Sequence, residues 1–235
     1  MKNKKTMLVA LIAICALSTS AFAGSFGIGI AGHAASVSAS GTETPGGVNT
    51  GTEASVTSAT AGNDFMMGSI FAEYNFGESE RFTLGVESIP GEANINSKNL
   101  TRTDAASGDS NDTAGTRTPN AMLSDHITYY GEFVITNGIY AKYGFTQVDI
   151  QTRETNTLGT STSYGDVTID AYTLGIGQKG TFGSNGFYKV EGYMTDYDDV
   201  NIQGTGASTT GASTSAKVNA SLDVVGAALK VGIKF

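Results

Sequence analysis

Seven charged side chains carry the most specific chemistry in this 235-residue chain: the acids Glu73, Glu87, Glu132 and Glu191 and the bases Lys142, Lys189 and Lys230. Each sits in a segment of alternating apolar and polar residues, on the face opposite the apolar one. Glu73 stands four residues before Gly77, and Glu132 four before Thr136. Lys142 stands four after Gly138, Lys189 three after Gly186, and Lys230 five before Phe235. Measured from the nearest turn or terminus, these groups lie at similar depth. If their face is enclosed, unpaired charge is very costly there, so the acids and bases must pair. The expected chemistry is an ionic cross-link that plugs an interior.

Other candidate sites are weaker. Gly27, Gly29 and Gly32 satisfy G-x-G-x-x-G, but no βαβ unit surrounds them, so they read as small positions where strands pack closely. His126 has Ser124 and Asp125 beside it and Thr128 two residues on. Neighbours on a strand face opposite sides, so a catalytic triad would need a partner from another strand, and none is identifiable. His33 stands among Ala and Gly with no second metal ligand near it. Asp196, Asp198 and Asp199, with Asn201, offer hard oxygen ligands for Ca²⁺, as do Asp109, Asn111 and Asp112. Both clusters lack the turn Gly and distal Glu of a full calcium loop. The sequence gives no reason to expect an enzyme or a cofactor.

The elements that position these residues are short alternating segments. Eight can be read: 25–37, 65–76, 81–89, 123–135, 139–150, 167–179, 187–197 and 217–235. In the fifth, the apolar phase slips from Phe145 to Val148 and Ile150, which predicts a β-bulge near Thr146. The connections alternate in length. Short links fall at 77–80, 136–138 and 180–186, the middle one containing the favoured hairpin pair Asn137-Gly138. Long links fall at 38–64, 90–122, 151–166 and 198–216, and they are rich in Gly, Ser, Thr, Asn and Asp. Phe76, Phe82, Phe133, Tyr140, Phe182, Phe187 and Phe235 all stand beside short links or the C-terminus, as an interfacial aromatic girdle would. A soluble lipocalin-like barrel is the alternative, and it would turn its apolar residues inward.

Residues 1–23 have the form of a secretory signal peptide: Lys2, Lys4 and Lys5, an apolar run from Met7 to Leu17, then Ala21-Phe22-Ala23. The run is too short to span a bilayer. Cys15 is the one cysteine. It lies in that run behind Ile14, where a lipoprotein signal would place a small residue, so no disulfide or lipid anchor is expected. Taking the three signal lysines from the net charge of −8 leaves −11 on residues 24–235, read as one domain. That charge does not suit nucleic acid. No long apolar run follows the signal, which excludes a helical membrane protein and leaves a barrel of about 10-residue strands open.

The final segment, with Leu229, Val231, Ile233 and Phe235 on one face, resembles the closing strand of bacterial outer-membrane barrels. With the loop asymmetry and the Tyr188-Lys189-Val190-Glu191 stretch, the whole mature chain resembles the small eight-stranded barrels of the OmpA-like transmembrane, opacity and OmpW types. The resemblance implies an all-β, eight-stranded antiparallel up-and-down transmembrane β-barrel with short periplasmic turns and long external loops. It implies an integral bacterial outer-membrane location with both termini periplasmic and outer-membrane lipid around the wall. It further implies recognition of the C-terminal strand by the barrel-assembly machinery, and external ligands or receptors met by the loops at 38–64, 90–122, 151–166 and 198–216. The chain ends with the barrel, so the peptidoglycan anchoring of full OmpA-type proteins is not implied. Two functions are then expected to compete: a structural or surface role with a narrow, gated lumen, and porin-like passage of small solutes.

Overall fold

The computed structural model describes residues 24–44, 57–94, 102–104, 115–118, 121–152, 155–156, 164–204 and 217–235. Eight long strands form the wall: β1 (Gly24–Thr44), β2 (Thr57–Phe76), β3 (Phe82–Asn94), β4 (Ala121–Thr136), β5 (Ile139–Thr152), β6 (Val167–Phe182), β7 (Gly186–Gln203) and β8 (Lys217–Lys234). Each pairs antiparallel with its chain neighbours, and β1 pairs with β8 to close the barrel. Closure pairs the first strand with the last, the condition a β-structure must meet in hydrocarbon. The β2–β3 ladder is the shortest, running from Ile70/Ser88 to Phe76/Phe82, and above it Thr57–Ser69 of β2 pair with β1. Three short strands, Arg102–Asp104, Gly115–Thr118 and Thr155–Asn156, form a separate small sheet. The signal-peptide expectation at 1–23 and the Asp109, Asn111 and Asp112 cluster lie outside the described residues.

The strands are longer than the alternating pattern indicated. A transmembrane strand needs about 9–11 residues, and these run from 13 to 21. The excess is at the end away from the short turns. Residues 38–44, 57–64, 90–94, 121–122 and 198–203, read from sequence as loop, belong to the wall. Beyond the bilayer the outer face of a wall strand meets water, so Ser, Thr, Gly and Asp stand there, while inward residues such as Val200 and Ile202 join an apolar core.

The short connections close tightly. Asn137 and Gly138 both have positive φ (48° and 77°), the geometry of the primed turns that match strand twist. A side chain at 138 would bring its Cβ to 2.4 Å from the Lys179 carbonyl oxygen. At the same end, Phe26 and Phe235 exchange backbone hydrogen bonds, and Lys234 N–H donates to the Asn185 carbonyl. The Lys234 ammonium and Ser25 hydroxyl both donate to the Glu80 carboxylate, which staples the β2–β3 turn to the first and last strands. Burial raises the Glu80 carboxyl, but the Lys234 and Ser25 hydrogen bonds and nearby lysine charges outweigh it and hold it below the usual carboxylate range.

The outer face is an apolar belt. Ile30, Ile70, Leu174, Ile176, Val190, Met194 and Leu229 are all more than half exposed. A continuous apolar surface around a closed wall is the signature of a barrel solvated by lipid. It rules out the soluble, inward-apolar alternative. At the turn end the belt finishes in Phe82, Phe133, Phe182, Tyr188 and Phe235, all exposed. Phe76, half-buried, packs on Phe82 at 5.5 Å. Tyr140 and Phe187 do not belong to this girdle. They are 0% and 2% exposed and point into the barrel. Position parity explains it, since each stands two residues before an inward lysine.

The interior is layered. The turn-end half is charged, and the loop-end half is an apolar core that includes Val37, Leu123, Val148, Ile150, Ile169, Tyr197, Val200, Leu222 and Val224. The bulge expected near Thr146 is absent from β5, whose register with β6 runs unbroken from Ile139 to Ile150. The irregularity sits on the neighbouring strand, where Asp125 and His126 of β4 face the single residue Val148. Asp125 takes φ 51° to achieve it. The extra residue moves the inward row of β4 from even positions (Thr128, Tyr130, Glu132) to odd ones (Leu123). A second bulge at Asp198 and Asp199 of β7 does the same for Val200. On unbulged β5, Val148 and Ile150 continue the even inward row of Tyr140, Lys142 and Thr146, and the apparent phase slip marks a change of lumen chemistry.

Candidate functional site

All seven charged residues meet inside the turn-end half of the barrel, and each is at most 5% exposed. Apart from Lys230 and Glu191, which stand on neighbouring strands, they pair across the lumen. Lys189 Nζ on β7 donates to Glu73 on β2 at 2.5 Å and to Glu132 on β4 at 2.7 Å. Lys230 on β8 reaches Glu87 on β3 at 2.6 Å. Lys142 on β5 donates to Glu191 on β7 at 2.8 Å and lies 3.6 Å from Glu87. Lys230 and Glu191 are 4.0 Å apart. Lys189 and Lys230 face each other directly in the β7–β8 ladder. Like charges so placed repel, and each lysine turns toward acids on the far wall.

Neutral side chains complete the carboxylate shells. Tyr130 donates to Glu73 and Tyr140 to Glu191, both at 3.0 Å. Ser69 donates to Glu87 Oε1 at 2.6 Å, and His33 Nε2 lies 3.0 Å from the same oxygen. The rings fill the remaining space under the ammonium groups. Lys142 and Lys230 sit 4.8 and 5.2 Å from the Tyr130 ring centre, and Lys230 sits 5.5 Å from that of Phe71. Small residues on neighbouring strands make room for the rings. A Cβ at Gly85 would lie 2.3 Å from the Tyr130 ring, and one at Gly29 2.5 Å from Phe71. Two of the glycines that mimicked a nucleotide motif are used in this way, Gly29 against Phe71 and Gly27 against Phe187, whereas a Cβ at Gly32 would meet nothing.

Above the charges lies a ring of hydroxyls. Thr128, Thr146, Thr173 and Thr195 link β4 to β7 through contacts of 2.8, 3.2 and 2.8 Å. From sequence, Tyr130, Thr173 and Thr195 have no assigned role, Tyr140 is placed in the girdle and Thr146 at a bulge, and Thr128 is named only beside His126. The ring and the tyrosines follow from counting by two along each strand from a lumen charge: Tyr130 from Glu132, Tyr140 and Thr146 from Lys142, and Thr195 from Glu191.

The other candidates are placed apart from this layer. His126 Nε2 contacts Tyr197 Oη at 3.2 Å, and Ser124 Oγ accepts from Gln151. Asp125 is exposed on the bulge. The three are thus not assembled as a nucleophile, base and acid. Asp196, Asp198 and Asp199 lie within β7, not at its exit, and all are exposed. Among the described residues no group of three or more His, Cys, Asp or Glu side chains is placed to hold a metal ion. Leu229, Val231, Ile233 and Phe235 project outward from the closing strand.

The charge layer is asymmetric, which gives a first test. Glu132 accepts a single hydrogen bond, and its Oε1 has no partner. Glu191 binds Lys142 and Tyr140 and lies beside Lys230. Glu132→Gln leaves Lys189 paired with Glu73 and is expected to cost less than about 1 kcal/mol, whereas Glu191→Gln leaves Lys142 and Lys230 to share the single carboxylate of Glu87 and is expected to cost about 3 kcal/mol. Urea midpoints of the two variants in lipid vesicles measure the difference, and the reverse order would contradict the pairing.

No protein-family model matches the chain, and no curated protein matches its sequence. Among solved structures, the chain is similar to the outer membrane protein OprG from Pseudomonas aeruginosa at 13% identity, covering 91% of this chain and 97% of that one, with a TM-score of 0.42. It is similar to the outer membrane protein AlkL at 15% identity over 91% of each chain, TM-score 0.43. It is similar to Ail, the attachment invasion locus protein of Yersinia pestis, at 11% identity over 91% and 99%, TM-score 0.37. By its own closed register and outward apolar belt, the chain is an eight-stranded antiparallel β-barrel of the outer-membrane type.

Proposed function

We propose that the protein is an integral bacterial outer-membrane barrel whose lumen is closed by its charge layer, and whose role is structural or mediated by its external loops. In this reading the short turns and both termini face the periplasm. The C-terminal strand, ending in Leu229, Val231, Ile233 and Phe235, addresses the chain to the barrel-assembly machinery. Outer-membrane lipid covers the belt. One observation carries the closed lumen. Lys189, Lys230, Glu132 and Glu191 are at most 1% exposed and joined across the bore, with Tyr140 and Phe187 filling the space between them. An eight-stranded barrel has an interior that side chains just fill. No catalytic step belongs to this reading.

Liposome swelling tests it. Vesicles holding the folded barrel are expected to swell in a small sugar no faster than protein-free vesicles, and swelling at porin-like rates would overturn the closed lumen. Deleting residues 95–120 tests the loop role: loss of surface or cell binding with an intact barrel supports it. The wider segment 90–122 is unsuitable, because its ends belong to β3 and β4. A second reading, a gated pore for small solutes, is favoured by one feature. A cavity of about 320 Å³ occupies the loop-end half down to the charge layer, so part of a passage already exists.

A further inference from the structure

That cavity has a chemistry of its own. Its floor includes Glu87, Lys142 and Glu191, and its walls include Phe65, Leu123 and Val224. Both histidines of the chain, His33 and His126, line it, together with Tyr193. Among the described residues, four buried side-chain polar atoms have no hydrogen-bond partner: His33 Nδ1, His126 Nδ1, Tyr193 Oη and Glu132 Oε1. Three of the four therefore belong to residues around one cavity. Buried polar groups without partners are uncommon and costly. Three at one place, on walls that carry Phe65, Ile89, Leu123 and Val224 beside threonines, give the cavity hydrogen-bonding capacity that the protein itself does not use.

The hydrogen-bonding roles narrow the ligand. His33 Nε2 lies 3.0 Å from a carboxylate oxygen of Glu87. An ionised carboxylate only accepts, so Nε2 carries the proton and, in the neutral ring, Nδ1 is left as an acceptor. His33 thus asks for a donor. Tyr193 Oη both donates and accepts, so it can receive the other side of a hydroxyl. The floor charges already bind one another, and a charged ligand would have to break those pairs in a site of low dielectric. The apolar side chains on the walls, Phe65, Ile89, Leu123 and Val224, favour an apolar body. We propose that this cavity binds a small neutral molecule with one apolar ring or short chain and a hydroxyl group, the class of simple phenols and alcohols. The hydroxyl donates to His33 Nδ1 and is held by Tyr193 and His126. The site lies above the charge layer, so binding there requires no conduction through the barrel.

The two histidines make the test selective even in lipid or detergent, where phenols partition. The barrel is produced from its full chain with histidine carrying ¹³C and ¹⁵N in the ring, and phenol is titrated against it. Both histidine signals are expected to shift and saturate, with the His33 Nδ1 resonance moving as an acceptor does on gaining a hydrogen bond. Toluene, equal in shape but without the hydroxyl, is expected to bind at least about five-fold more weakly, the worth of one hydrogen bond. Tyr193→Phe is expected to weaken phenol by a similar factor of about five and leave the fold unchanged. Unsaturable drift of both signals, or phenol and toluene binding equally, would overturn the proposal. Because Tyr193 lies outside the paired charges, failure here leaves the closed-lumen reading standing, and swelling or conductance tests that reading separately.

Discussion

Lys189→Met is expected to destabilise the barrel by about 3–5 kcal/mol, the cost of removing one partner from a buried ionic group. Lys189 is fully buried and binds both Glu73 and Glu132. Its loss leaves two carboxylates facing each other in a space without water. Methionine preserves most of the stem and removes the ammonium, which lies 5.6 and 5.8 Å from the ring centres of Tyr140 and Phe187. The loss is therefore one of charge, not volume. Adding Glu73→Gln and Glu132→Gln to the same variant should return most of the stability, because a neutral core of similar shape needs no cation. Urea unfolding in vesicles, followed by the gel shift between folded and heated protein, reads both variants. A single variant as stable as the parent would contradict the cross-lumen pairing. So would a triple variant no better than the single.

The second large effect concerns the outer face. Leu174 is 54% exposed and level with Met194 and, beyond it, Val225 across the ladders. If that face meets hydrocarbon, Leu174→Arg places a guanidinium near the middle of the belt and costs about 2–4 kcal/mol. Asn219→Arg, on β8 near its loop end and likewise exposed, should cost only about 0–1 kcal/mol. A soluble barrel would accept arginine at both positions with little change. The ratio of the two effects, measured in lipid, maps the belt without reference to its function.

Much of this architecture was legible because a membrane barrel obeys one rule, alternation, over each strand. Ile28 with Ile30, Leu174 with Ile176, and Leu229 with Val231 and Ile233 announced the outward rows. The charges on opposite parity announced an inward one. What escaped is what alternation does not encode. Thr57 to Asp64 and Asp198 to Gln203 are strand, yet their composition is close to that of a loop, since a wall beyond the bilayer has no apolar outer face to display and only inward residues such as Val200 and Ile202 are apolar. Val148 and Ile150 looked like an outward pair out of phase. They continue the even inward row of Tyr140, Lys142 and Thr146 into an apolar core that no outward-apolar rule anticipates, and the bulge of this region lies on the partner strand at Asp125 and His126. Tyr140 and Phe187 were assigned to the girdle by their nearness to turns. Parity with Lys142 and Lys189 was the stronger signal. The particular pairings could not be read either, because Glu132 faces Lys142 in the ladder yet is bound by Lys189 from across the bore.

The account rests on a lumen closed by paired charge, and ion conductance across a planar bilayer tests that most directly. The wild-type barrel, inserted and proved folded by its heat-modifiable gel shift, is expected to give no large steady channels at moderate salt and voltage. Lys142→Ala, which removes a cation held between Glu191 and Glu87, should convert that silence into flickering openings. Large, steady wild-type channels, unchanged by Lys142→Ala, would contradict the account.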